Sequence, residues 1–301
     1  GVREAHLDLE IAKESIAVLP FEDMSQGADQ GYFAEGLAEE IRTALAQVEG
    51  LRVVGRVPSG YFKHKDASLS DIGRELRVAA VLEGGVRRDG NRLRITAEVV
   101  TTADGYRTWS QSYDRLLTDV FAVQEEIARA VAEAMKVKLL PDQARPRVAV
   151  NQQAYLLTLL GRSLCMQGTE PDYRRAVAAL EKAVALDPSY APPHGDFAWA
   201  FGDLALSLGG AGAPGLAGRA FEEAETTIRL DPRLADGWMK RGWARTVFAW
   251  DWRGAQADFD RGRGLRSGES DVAPVTYGVF LEKQGRLAEA IASTREGLEL
   301  A

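Results

Sequence analysis

Two similar stretches decide the fold: AVAALEKAVALDP at residues 176–188 and AFEEAETTIRLDP at residues 220–232. In both, small or apolar residues recur every three or four positions, which is the spacing of one buried face of an α-helix. Both stretches end in Asp-Pro. Because proline cannot continue a helix, each predicts a helix that stops at the same place. The second half of the chain is therefore predicted to be a helical repeat.

The residues after the second stretch identify the kind of repeat. Trp238 and Gly242 take the fourth and eighth positions of the next unit, and Ala176 and Ala220 correspond to each other in the second helices. The pattern resembles the tetratricopeptide repeat (TPR), a helix-turn-helix of about 34 residues whose small residues let the two helices cross closely. The resemblance implies an all-α solenoid with a concave groove. We predict about four repeats, at 154–190, 191–234, 235–270 and 271–301.

The first half alternates β-like and helical runs, which is typical of an α/β domain with a mixed sheet and flanking helices. Asp89-Gly90 joins two of the β-like runs. This pair predicts a tight hairpin, because Asp and Gly tolerate the positive φ that such turns need. The predicted strands are 15–21, 51–54, 78–88, 91–101 and 106–113, and the predicted helices are 33–48, 68–76 and 120–137.

Longer phrases in this half are similar to a known family. They are SIAVLPFEDMS, DQGYFAEGLAEEI, LEGGVRRDGNRLRITAEVV and WSQSYDRLLTDVFAVQEEIA, in that order between residues 14 and 138. These phrases resemble the TolB-like N-terminal α/β domain that precedes TPR arrays in many bacterial signalling proteins. The resemblance implies an upstream class III adenylate or guanylate cyclase domain, or a winged-helix domain and membrane helix as in CadC-like regulators. We expect that output domain to lie outside this chain.

A proline-containing stretch without apolar periodicity, PDQARP at 141–146, marks the domain boundary. We predict a TolB-like domain at 1–140, a linker at 141–150 and a TPR array at 151–301. Each half carries its own apolar elements, so the first is expected to fold alone. The chain begins at Gly1 and ends within a helical pattern, so we expect an excised piece whose array is truncated.

Composition argues against several classes of partner. The 301 residues include 37 Lys and Arg against 44 Asp and Glu, a net charge of −7, so no nucleic-acid partner is predicted. No run approaches the roughly 18 apolar residues of a membrane helix, so no membrane contact is predicted within the chain. The compartment stays open between bacterial periplasm and cytoplasm. A homo-oligomer is also left open.

The sequence offers no recognisable catalytic constellation. The histidines His6, His64 and His194 lack metal-ligand spacing, and Cys165 is the only cysteine, on an apolar helix typical of a packing thiol. The phosphate-binding motif GxxxxGK[ST] and the nucleophile motif GxSxG are absent from the sequence. We therefore predict no catalytic residue, no metal, no cofactor and no enzyme activity.

The TPR register predicts a binding groove for a protein or peptide partner. Trp199 and Trp243 fall on first helices at the position that faces the groove, and tryptophan often anchors interfaces. The alternative is that both tryptophans pack between repeats. On this basis the chain is predicted to be a non-catalytic interaction or sensory region. The predicted groove residues are Tyr155, Arg162, Trp199, Asp203, Met239, Trp243 and Glu282, with Thr246 and Val279 beside them.

A second candidate site surrounds the predicted hairpin. Arg87, Arg88, Arg92 and Arg94 cluster there, and arginine binds phosphates and acidic groups well. The alternative function is therefore a small-molecule or nucleotide sensor that binds an anion at these arginines. The competing interpretation is a solvated hairpin face.

Overall fold

The computed structural model describes residues 12–26, 30–48, 50–54, 68–137, 150–209, 213–265 and 272–300. An α/β domain comes first and a solenoid of paired helices follows, which confirms the predicted fold class. The predicted linker falls almost entirely outside the described residues.

A mixed sheet forms the centre of the first domain. Its strands are β1 (Ser15–Val18), β2 (Glu22–Asp23), β3 (Arg52–Val54), β4 (Ala80–Asp89), β5 (Arg92–Thr101) and β6 (Arg107–Leu116). The order is β3-β1-β4-β5-β6, with β2 alongside β4. Strand β1 pairs in parallel with β3 and β4, whereas β4, β5 and β6 form an antiparallel meander. The Asp89-Gly90 hairpin is confirmed, and Gly90 has the positive φ of such a turn (56°).

Helices cover both faces of the sheet. They are α1 (Gly31–Ala46), α2 (Leu69–Leu76) and α3 (Val120–Ala134), the last preceded by a 3₁₀ turn at Leu117–Asp119. On one face α1 and α3 bury Phe33 and Ile127 with Leu82 of β4. On the other face α2 contributes Ile72 to a smaller cluster. The Ser68 hydroxyl accepts from the amide of Asp71 and so caps α2.

The second domain consists of helix pairs. In the described residues these are α4 (Gln152–Gln167) with α5 (Glu170–Leu186), α6 (Ala191–Ser207) with α7 (Ala213–Leu230), α8 (Ala235–Ala244) with α9 (Trp252–Gly264), and α10 (Val272–Lys283) with α11 (Leu287–Leu300). A π-helical turn, Arg245–Ala249, extends α8. The first helices α4, α6, α8 and α10 pack on one another and form a common layer, called here the first-helix layer. Two glycines permit the close crossings within pairs: a Cβ added at Gly161 would lie 2.5 Å from Leu180, and one at Gly242 would lie 3.1 Å from Phe259.

The two domains share one core. Tyr155 and Leu159 of α4 belong to the same buried cluster as α1 and α3. A Leu159 methyl group approaches α1 so closely that a Cβ added at Gly36 would lie 2.7 Å from it. At the far end of the array, α11 contacts β3. Because α4 completes its apolar surface, the first domain would expose part of this core if it were separated from the array. That it folds alone stays a prediction.

Candidate protein-interaction surface

Three predicted groove residues occupy equivalent places on the first-helix layer. Arg162 and Trp243 directly follow the close-packed Gly161 and Gly242, and Trp199 holds the corresponding position of α6. All three side chains are partly exposed. The register predicted from the repeat pattern therefore places these residues on one surface.

Tyr155 does not line an open groove, so its inclusion in that set was wrong. The residue is only 1% exposed, and its hydroxyl accepts from Gln124 Nε2 of α3 at 3.0 Å. The ring also lies edge-on to Phe121, with 4.9 Å between the ring centroids. Burial raises the pKa of Tyr155 far above its ordinary value, and the nearby Glu40 raises it further. Tyr155 is thus part of the interface between the domains.

Met239 and Thr246 also point inward rather than into a groove. Met239 is 4% exposed, and its sulfur packs so tightly on α9 that a Cβ added at Gly262 would lie 2.6 Å from it. The Thr246 hydroxyl donates to the carbonyl of Gly242 at 2.8 Å within its own helix. The prediction for Met239 was therefore wrong, because the side chain fills the gap between the two helices of its repeat.

A chain of ion pairs crosses the first-helix layer and begins in the α/β domain. Glu40 of α1 lies 3.4 Å from Arg162 Nη1, and Arg162 Nε lies 3.1 Å from Asp196 of α6. Asp196 is also 3.3 Å from Lys240 Nζ of α8, which lies 2.7 Å from Asp236. None of these five side chains is more than 23% exposed. Loss of one partner would leave a charge poorly solvated.

The network keeps its cations charged. Burial alone would lower the pKa of Arg162, yet Asp196 and Glu40 hold it well above its usual range. Burial likewise opposes the charge of Lys240, but Asp236 and Asp196 raise its pKa overall. Burial raises the pKa of Glu40, and Arg162 offsets only part of that effect. The pairs therefore link the α/β domain to the first three repeats.

Of the five residues in this network, only Arg162 was predicted from the sequence to lie in the groove. The repeat register nevertheless contains a sequence signal for two more residues of the network. Asp196 and Lys240 each stand three residues before the groove tryptophan of their repeat, Trp199 and Trp243, so opposite charges occupy equivalent positions of neighbouring repeats. No comparable signal links α1 to α4, because their residues lie more than a hundred positions apart.

Beside the network, the surface is aromatic and acidic. Trp199 Nε1 donates to Asp203 Oδ2 at 2.7 Å, and the Tyr173 hydroxyl of α5 lies near the same carboxylate. Burial raises the pKa of Asp203, while Trp199, Tyr173 and the positive charge of Lys240 oppose the rise. Lys240 Nζ lies 5.5 Å from the centroid of the Trp199 ring, within the range of a cation–π contact.

Trp243 lies between α6 and α8. Its six-membered ring covers Gly202 so closely that a Cβ there would collide with it, and its centroid is 5.6 Å from that of Phe248. These contacts match the packing alternative for Trp243, although the residue as a whole stays partly exposed. On α10, Val279 is half-buried and Glu282 is exposed. We call the surface made by Trp199, Asp203 and Trp243, with Arg162 and Lys240 at its edge, the acidic groove.

The four hairpin arginines do not converge on one site. Arg87 and Arg94 pair across β4 and β5, with Arg92 two residues further along the same strand face. Because side chains alternate between the faces of a strand, Arg88 projects from the opposite face. The set therefore divides between two sides of the sheet, and the predicted four-arginine anion site is not formed.

Two of these arginines also have partners of their own. Arg88 donates to Gln30 Oε1 at 2.9 Å, and its guanidinium lies 5.9 Å from the centroid of Phe33. Arg94 forms a two-point pair with Asp114 at 2.8 and 3.0 Å on the exposed face. The hairpin thus fits the competing interpretation, a solvated face, better than it fits an anion-binding site.

Other reactive residues are engaged in packing. Cys165 is buried, and burial raises the pKa of its thiol. His194 contacts Glu223 at 2.6 Å and the carbonyl oxygen of Pro188 at 3.2 Å. Across the described ranges, no group of three or more His, Cys, Asp and Glu side chains could hold a metal ion. Nor does any helix in that part of the chain have the length and apolarity to cross a membrane.

Comparison with known sequences gives one informative similarity. No family model matches the chain. Over 186 residues it is 40% identical to the protein of Rhizobium meliloti (strain 1021) named "Putative adenylate cyclase 3". The match covers 61% of this chain and 32% of that relative, so the chain spans about a third of the relative's length.

Solved structures similar to the chain are more distant. A thermophilic TPR protein of Thermus thermophilus is 19% identical with a TM-score of 0.42, covering 62% of this chain and 88% of that one. TolB from Acinetobacter baumannii is 10% identical with a TM-score of 0.32, covering 40% of this chain and 28% of that one. The fold class therefore rests on the helices and strands described above.

Proposed function

We propose that this chain is a non-catalytic protein-interaction region of a larger bacterial signalling protein. The observation that carries the proposal is the acidic groove, where two partly exposed tryptophans and a half-buried carboxylate lie together on the first-helix layer. Tryptophan is the residue most typical of binding hot spots, and such residues cluster at the centre of interfaces. A protein or peptide partner would bind there.

The position of the α/β domain defines which part of the layer is available. This domain buries Tyr155 and Leu159 and packs against Tyr190, near the starts of α4 and α6. Trp199 at the middle of α6 and Asp203 one turn later lie outside that interface. A partner would therefore bind along the later turns of the first helices, beside the α/β domain.

Cyclic-nucleotide signalling is the context that the named relative supports. The non-catalytic assignment rests on the sequence, which has no phosphate-binding or nucleophile motif of the usual kinds. We place the output chemistry outside this chain. A role in a CadC-like regulator and a TolB-like role of the first domain rest on the resemblance of the sequence phrases alone.

Site-specific photo-cross-linking tests the proposal in cells that produce the full-length protein. A photo-reactive amino acid replaces Glu282, which is exposed on α10, or Glu181, which is exposed on the second helix α5. We expect a partner adduct from position 282 and none from the control position 181. Equal adducts at both positions, or adducts at 181 alone, would contradict binding on the first-helix layer.

A further inference from the structure

The acidic groove and its network contain more carboxylates than cations. Arg162 and Lys240 are the cations, and each already contacts two carboxylates. Asp203 is a further acidic group, which accepts a hydrogen bond from the uncharged donor Trp199 Nε1 and lies near the Tyr173 hydroxyl. Among the described residues, no cation forms an ion pair with Asp203. Lys240 is near enough to lower the pKa of Asp203, but it forms its ion pairs with Asp196 and Asp236. A partner that brings a positive charge would supply a counter-ion in direct contact with Asp203.

The aromatic rings around Asp203 suit the same kind of partner. Trp199 donates to Asp203 and already has one ammonium group, that of Lys240, over its ring. Trp243 lies against Gly202, the residue next to Asp203 in the chain. Tryptophan faces attract ammonium and guanidinium groups more strongly than other aromatic faces do. Two indoles and one carboxylate therefore lie along the same stretch of α6, residues 199–203.

We propose that the acidic groove recognises a basic segment of its partner, with a lysine or arginine side chain seated between Trp199 and Trp243 and paired with Asp203. This inference rests on the proposed function and adds the chemistry of the partner. A charge-assisted hydrogen bond to Asp203 is stronger than a neutral one. The net charge of −7 would also draw a basic segment towards the chain and repel an acidic one.

Selection of peptides on the whole chain tests this partner chemistry. A displayed library of random 12-residue peptides is selected on the wild-type protein, and synthetic copies of the enriched peptides are titrated against variants. Asp203→Asn keeps an oxygen that can accept from Trp199 but removes the charge. Asp260→Asn, an exposed Asp on the second helix α9, is the matched control. Hydrogen exchange of the wild type maps where the peptide binds.

The proposal predicts enriched peptides that contain Lys or Arg and that protect α6 and α8 from exchange. Their affinity should fall about tenfold with Asp203→Asn, as for loss of one charge-assisted contact, and less than about twofold with Asp260→Asn. Neutral or acidic peptides that protect α6 and α8, or basic ones that Asp203→Asn does not weaken, would overturn this inference and leave the proposed function standing. Protection confined to other elements, or no enrichment, would overturn both.

Discussion

The contact between Gly202 and Trp243 makes the packing of the acidic groove testable by a single methyl group. Adding a methyl group at Gly202 would place a Cβ inside the contact distance of the Trp243 ring. The rigid indole lies between two helices and cannot give way as a flexible chain end would. We therefore expect Gly202→Ala to move Trp243 and to destabilise the fold.

The size of the effect follows from two opposing contributions. Replacing glycine by alanine inside a helix normally stabilises a protein by about 1 kcal/mol. Overpacking a well-filled site typically costs about 1 to 3 kcal/mol, so the net change should be a loss of up to about 2 kcal/mol. Gly218→Ala is the matched control, since a Cβ there meets nothing within 4 Å and should stabilise α7.

The stabilities of the two variants are compared by urea unfolding. A shift of the midpoint at an unchanged m-value, the slope of unfolding free energy against urea concentration, reports a change in stability. We expect the midpoint to fall for Gly202→Ala and to rise for Gly218→Ala. Affinity for a groove ligand should weaken only in the first variant. If both variants gained stability equally, Trp243 would not pack on Gly202 as described, and the shape assigned to the acidic groove would be wrong.

Three further predictions concern the ion-pair network, Asp203 and the shared core. Arg162→Met should lower the free energy of unfolding by about 3 to 5 kcal/mol, because it removes the cation that pairs with Glu40 and one of the two cations that pair with the buried Asp196. Arg174→Met, which breaks an exposed pair, should cost less than about 1 kcal/mol by the same urea assay. Because burial raises the pKa of Asp203 above its unfolded value, the folded state binds that proton more tightly. The difference in unfolding free energy between the wild type and Asp203→Asn should therefore fall as the pH rises from about 4 through the raised pKa. A difference that does not change with pH would contradict this prediction. A fragment of residues 12–137 lacks Leu159, which covers part of its core. The fragment should therefore unfold at a lower urea concentration than the whole chain and should bind an apolar dye. Equal stability of fragment and whole chain would show that the first domain folds independently.

Features that depend on neighbouring residues could be predicted from the sequence. The Asp89-Gly90 turn forms because only a few residue types accept its backbone angles, and Gly161 marks a helix crossing because a larger residue would collide. The ends of the helices were predicted less accurately. The predicted helix 120–137 ends at Ala134, and Lys136 has a positive φ that a continuing helix does not allow.

Features that depend on distant contacts could not be predicted in this way. The repeat register assigned Tyr155 to the groove, because nothing in the helical pattern says that the α/β domain covers this residue and Leu159. The same limit explains Met239, whose groove position on the repeat register is filled by packing against α9. The pairing of Glu40 with Arg162 depends on how the two domains meet, and helical periodicity does not encode that arrangement.

The most direct test of binding in the acidic groove is the indole N–H spectrum of the whole chain during titration with the partner recovered by cross-linking. The six tryptophans supply one indole signal each, and the Trp199 indole N–H is the group that donates to Asp203. Binding in the groove predicts saturable shifts of the Trp199 and Trp243 signals, with the signal of Trp109 on the sheet unchanged. Saturation of binding with the Trp199 and Trp243 signals unmoved would contradict the account.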